Sequence, residues 1–213
     1  MSNTLLKMFT ATGIGLAMSW QATAASIHGT LSFDKRAPYG ALVFVPSSSQ
    51  GSQRVEIDQV DKTFTTAIAV NAPGKAVVFK NSDNMDHNVY ANDIRNNARF
   101  DVGLMSPGGT REVEASWQDD ALIRIGCKIH PKMRAYIANI NSEHFSVIEM
   151  DKTEQTYRFT LNDVPSNTRA IKVLIPGYDD LELHLDSQIA APIDITKKSK
   201  RRGQITLTTE GLK

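Results

Sequence analysis

The segment Cys127-Lys128-Ile129-His130-Pro131-Lys132-Met133 sets a thiol, an imidazole and a thioether at successive intervals of three residues. These are soft or borderline donors of the kind that suit copper. A compact loop with this spacing can turn all three side chains toward one point. A second imidazole stands upstream: His87, in Asn84-Met85-Asp86-His87-Asn88-Val89, lies just past the apolar run Ala76–Phe79. Two histidines and a cysteine in a plane, with a weak axial methionine, form the donor arrangement of blue-copper electron-transfer sites. His87, Cys127, His130 and Met133 are therefore the predicted metal ligands, for one type 1 copper ion. A rigid compromise between the geometries preferred by Cu(I) and Cu(II) lets an electron move with little ligand rearrangement.

Each donor alone has a plainer explanation. A single cysteine is often a small buried hydrophobe, a loop methionine often packs, and a histidine can occupy a turn. The combination is what points to a metal. Cys127 is the one cysteine of the chain. In an oxidising compartment, where cysteines normally pair, it would be a free thiol, an intermolecular bridge or a metal thiolate.

Export is read from the N-terminus. Lys7 is followed by a mostly apolar, uncharged run from Met8 to Met18, and Ala22-Thr23-Ala24 has the small-x-small form of a cleavage site. Residues 1–25 are the predicted signal peptide. A mitochondrial presequence or an anchor competes with that reading, but the run is short for a bilayer core. No later segment is long and apolar enough to span a membrane, so the expected location is periplasmic or otherwise exported, and soluble. The whole chain carries a formal net charge of +1, and Lys7 is the only charge in the leader. A nearly neutral mature chain has no long-range attraction for nucleic acid or an anionic bilayer.

The elements that must position the ligands read as strands throughout. Ala41–Val45, Ala76–Phe79, Leu122–Ile125, Tyr157–Leu161 and Ile171–Ile175 are short β-rich runs. Asn71-Ala72-Pro73-Gly74 and Ser106-Pro107-Gly108-Gly109 are turn signals. The Ser/Gln/Gly-rich stretch 46–53 and the shift after Ile140 divide the chain. They predict an all-β fold, with one sandwich over 54–140 and a second, discontinuous one from 26–53 and 141–213. The basic run Lys197-Lys198-Ser199-Lys200-Arg201-Arg202 reads as a solvated hairpin tip, with docking to an acidic or phosphate-bearing surface as the sharper alternative. His184 alternates with leucines and points to the polar face; His28 and His144 have no ligand-like neighbours.

Phe79-Lys80-Asn81 followed by His87-Asn88-Val89 resembles plastocyanin and amicyanin, and the Cys127, His130, Met133 spacing is similar to amicyanin's contracted ligand loop. The mature chain more closely resembles the cupredoxin-containing group labelled methylamine utilisation proteins. The resemblance covers Ile57-Asp58-Gln59, His87-Asn88-Val89-Tyr90, Phe100-Asp101-Val102-Gly103 and Gly126 through Met133. It implies a cupredoxin Greek-key sandwich, the copper role for His87, Cys127, His130 and Met133, and His130 as the electron port rimmed by Pro131 and Met85. Lys132 departs from the family by replacing an aromatic residue, and Asp86 by replacing the Pro that precedes the first histidine in plastocyanin. The flanks resemble the carboxypeptidase regulatory-like domain, a small transthyretin/Ig-like sandwich, through Ile27-His28-Gly29-Thr30, Gly40–Val43, Phe159–Pro165 and Ile171–Tyr178. That likeness implies that the copper domain is inserted into, or clasped by, the second sandwich.

The expected function is one-electron transfer with a redox partner protein. Asn88 is a candidate to tie the two ligand loops together by hydrogen bonds. Periplasmic copper storage, delivery or resistance is the alternative, since the same donors hold Cu(I). A surface module merely stabilised by the metal is a third reading. An enzyme is not expected. Multicopper catalysis needs further histidines than the five present, and no Ser–His–Asp set, phosphate loop or carboxylate pair is legible.

Overall fold

The computed structural model describes residues 24–47, 49, 51–185 and 191–213. The predicted signal peptide lies outside the described residues except for Ala24 and Ala25, and so does Asp186. Among the described residues there are strands and turns and no helix. In chain order the strands are β1 (Ala25–Phe33), β2 (Gly40–Phe44), β3 (Glu56–Ile57), β4 (Gln59–Val60), β5 (Thr63–Phe64), β6 (Ile68–Asn71), β7 (Ala76–Lys80), β8 (Tyr90–Asp93) and β9 (Ala98–Asp101). They continue with β10 (Thr110–Glu114), β11 (Ala121–Gly126), β12 (Arg134–Asn139), β13 (Phe145–Glu149), β14 (Thr156–Val164), β15 (Ala170–Leu174), β16 (Leu181–His184), β17 (Ile193–Lys197) and β18 (Lys200–Glu210).

Four main sheets stack into two sandwiches. One pairs the sheet β14-β1-β18-β17 with the sheet β13-β2-β15-β16; the other pairs β10-β7-β3 with β6-β12-β11-β8-β9. β4 and β5 form a separate two-stranded ribbon. Alternation sets the faces. Along β1, Ile27, Leu31 and Phe33 point into the first core, while His28, Thr30 and Ser32 alternate with them on the half-buried face. Phe159, Leu161, Val173, Ile195 and Ile205 meet them there. The second core holds Ile57, Phe79, Ile123, Ile125 and Ile137, with Phe100 stacked between Phe79 and Trp117.

β2 is apolar throughout because both its faces are covered. Ala41 and Val43 face the first core. Leu42 and Phe44 face a third apolar layer with Leu174, Ile68, Ala138 and Ile140, which joins the two sandwiches. β12 mirrors this, sending Ala135 and Ile137 into the second core and Ala138 into the shared layer. Lys172 on β15 reaches Asp120, just before β11, at 2.7 Å across the same junction.

The turn signals behave as their residues require. Lys75 N–H closes on Ala72 O at 3.0 Å, with Pro73 and then Gly74 at φ 74° between them. Gly109 N–H closes on Ser106 O at 2.8 Å over Pro107 and Gly108, φ 78°. Pro followed by a positive-φ Gly is the type II pattern. The basic run forms the β17–β18 hairpin. Its two turn residues, Lys198 and Ser199, have φ of 52° and 59°, the left-handed pair of a type I′ turn. Neither is Gly or Asn. The Asp179 carboxylate supports the turn by accepting from Lys198 N–H, Ser199 N–H and the Thr196 hydroxyl at 2.9, 2.8 and 2.7 Å. His28 lies on β1 against Thr160 and Ser26 hydroxyls, and His184 is exposed on β16 between the buried Leu183 and Leu185.

Candidate metal centre

Two connections at one end of the second sandwich build the centre. β11 ends at Gly126 and β12 begins at Arg134, and these two residues are paired across the ladder. Residues 127–133 are thus a tight excursion between adjacent strands. The Met133 amide donates to His130 O at 2.9 Å, closing a turn over Pro131 and Lys132. A Cβ at Gly126 would stand 3.2 Å from the Tyr90 ring, so the ring of β8 packs directly on the strand end that leads to Cys127. The other connection runs from β7 to β8 and carries His87. Its backbone makes an isolated bridge with Met105, with N–H···O distances of 3.0 and 2.8 Å.

Three donor atoms converge. Cys127 Sγ lies 3.9 Å from His87 Nδ1 and 3.8 Å from His130 Nδ1, and the two Nδ1 atoms are 2.9 Å apart. A circle through three atoms so separated has a radius of about 2.1 Å, within the roughly 2.0–2.3 Å at which a borderline ion such as zinc takes imidazole nitrogen and thiolate sulfur. The donor set and its spacing are suited to a type 1 copper ion. Cys127 and His87 are buried and His130 is partly exposed. Met133 is buried in the same apolar cluster as Cys127. Met85 is half-buried and Pro131 exposed. His28, His144 and His184 stand outside the cluster.

Polar residues around the donors hold the two segments that carry them. Asp83 Oδ2 accepts from His87 Nε2 at 2.9 Å. The Lys62 amide and the His87 imidazole hold the Asp83 carboxyl at about 2, so it is an acceptor only. The proton of neutral His87 therefore sits on Nε2, and the Nδ1 lone pair faces Cys127. Asn81 stabilises the same connection: its amide donates to Met85 O at 2.9 Å and Met105 O at 2.7 Å, and its carbonyl accepts from Asp83 N–H at 3.1 Å. Asn88 joins the two ligand segments, accepting from Lys128 N–H at 2.7 Å and donating to Asp101 at 2.9 Å. The Lys128 ammonium and then the Gly103 amide pull the Asp101 carboxyl below its ordinary range. Asp83 is the contributor that sequence reasoning missed, and Asn81 entered it only within a resembling motif, with no role assigned. Asp83 stands four positions before His87, a spacing with no fixed meaning in a loop.

No family model matches the chain, and no curated protein matches it. Solved structures give partial likenesses. A purple cupredoxin from Nitrosopumilus maritimus is 14% identical, over 40% of this chain and 98% of that one, with a TM-score of 0.35. A reduced Cu(I) form of an amicyanin mutant is 18% identical, over 46% of this chain and 97% of that one, TM-score 0.36. A copper-containing nitrite reductase from Thermus scotoductus is also 18% identical, with a TM-score of 0.36; the match covers 46% of this chain but only 25% of the reductase. The chemistry of the centre rests on its own donors.

Proposed function

We propose that this chain is an exported cupredoxin-type electron carrier, in which His87 Nδ1, Cys127 Sγ and His130 Nδ1 would hold a copper ion and Met133 would add a weak fourth contact. The observation that carries the reading is the 2.9, 3.8 and 3.9 Å triangle of donors, with one histidine wholly buried. A copper ion held there supplies a one-electron couple. The protein's part is to keep the donors still. Asp83 fixes the His87 tautomer, Asn88 joins the ligand segments, and the turn over Pro131 holds His130 and Met133 together. Donors so constrained move little between oxidation states, which suits transfer. His130 is the partly exposed member and is the proposed port to a redox partner protein. The reading is of a carrier, not an enzyme. Residues 1–25 as a cleaved signal, and residues 26–53 with 141–213 as a regulatory-like sandwich clasping the copper domain, belong to the same proposal.

The test is repeated reduction and re-oxidation of the copper-loaded chain at an electrode, in the presence of an apo copper acceptor. A carrier shows a reversible one-electron wave and keeps its copper. Transfer of copper to the acceptor on reduction would instead make this a storage or delivery protein.

A further inference from the structure

We propose that Arg36, Arg134 and Lys152 form a binding site for a multiply charged oxyanion, phosphate or a polycarboxylate, in a cavity lined by both sandwiches. The cavity measures about 240 Å³ and is lined by Arg36, Ala37, Pro38, Tyr39, Arg134 and Lys152. Its walls come from three separate segments. Arg36 to Tyr39 lie between β1 and β2, Lys152 lies between β13 and β14, and Arg134 opens β12 directly after the candidate ligand loop.

Tyr39 is the common platform. The Arg134 guanidinium sits over its ring at 4.1 Å from the centroid and the Lys152 ammonium at 5.5 Å. Arg134 Nη2 also donates to the Tyr39 hydroxyl oxygen, which leaves the phenolic O–H free to donate elsewhere. Two cations gathered on one ring repel each other, and a carboxylate between them would normally relieve this. Among the described residues Arg36, Arg134 and Lys152 make no salt bridge; the Asp151 carboxylate, next to Lys152 in the chain, feels its charge but accepts from the Thr153 amide and hydroxyl at 2.8 and 2.9 Å. Two guanidinium groups, an ammonium and a phenol are all hydrogen-bond donors. They match a ligand rich in acceptor oxygens, and planar guanidinium forks suit carboxylate and phosphate geometry. The volume is below that of a drug-sized pocket, roughly 300–1,000 Å³, and suits a single small anion.

The experiment is calorimetric titration of the full chain at low ionic strength with inorganic phosphate and, separately, with citrate. Chloride at matched ionic strength is the reference. Saturable binding of either oxyanion, at least tenfold weaker in Lys152→Gln and Arg134→Gln and unchanged in Lys75→Gln, is expected. Which of the two binds more tightly identifies the occupant's class. Lys152 is exposed, so its variant keeps the test valid if Arg134→Gln folds poorly. Heats that follow chloride for both anions, or unaltered binding in both pocket variants, would overturn the proposal.

Discussion

Replacing Asp83 by Ala tests how the protein prepares His87 for a metal. The carboxylate accepts three hydrogen bonds: from His87 Nε2 at 2.9 Å, Lys62 N–H at 2.9 Å and Asn84 N–H at 2.8 Å. His87 is wholly buried and Asp83 is the acceptor at its Nε2–H, so removing the carboxylate takes that partner away. The neutral ring can then recover a partner by moving its proton to Nδ1, the atom facing Cys127 and His130. That proton must be displaced before Nδ1 can serve as a ligand, and the ring is free to rotate. Loss of such an outer partner costs on the order of 10–100-fold in metal affinity. Asp83→Asn is expected to fall between, because its oxygen can still receive His87 and Lys62 while its amide faces the Asn84 N–H, donor against donor. Competition with a chromophoric Cu(I) chelator measures the affinities, and circular dichroism checks the fold. An Asp83→Ala protein that is folded and binds copper within twofold of the parent would refute the tautomer argument.

Phe44→Ala, in the fully buried layer joining the sandwiches, is expected to cost about 3–5 kcal/mol, read by urea denaturation. Gly203→Ala is expected to cost about 1–3 kcal/mol, because its Cβ would stand 2.2 Å from the Ser32 carbonyl oxygen on the neighbouring strand; thermal melts check this. The Ser199 amide and then the Thr196 hydroxyl hold Asp179 below its ordinary carboxylate pKa. A depressed folded pKa stabilises above the unfolded value and is lost as pH falls through the folded one. Asp179→Asn is thus expected to melt below the parent at neutral pH, with the gap closing as pH drops below about 4.

The convergence of His87, Cys127 and His130 was legible because residue type and spacing carry their chemistry. A Cys and a His three apart can share one side of a tight loop, and His87 follows the apolar run of β7. What positions His87 was not legible. Asp83 acts only once residues 81–89 fold back against Lys62 of the β4–β5 ribbon, a contact no local pattern encodes. Ala41–Val45 read as a strand, but an unbroken apolar run does not say which two cores it separates. The Lys197–Arg202 segment read as a hairpin tip, while its left-handed turn was hidden. Lys198 and Ser199 lack the usual turn chemistry, and the compensating carboxylate, Asp179, sits far upstream.

The central claim is that Cys127 is the thiolate of a copper centre completed by His87 and His130. The visible absorption spectrum of the chain loaded with one equivalent of Cu(II) tests it most directly. An intense thiolate-to-copper band is expected in the parent, absent in Cys127→Ser and preserved in His184→Gln, whose histidine lies outside the cluster. A colourless Cu(II) complex of the folded parent, or an unchanged band in Cys127→Ser, would contradict the account.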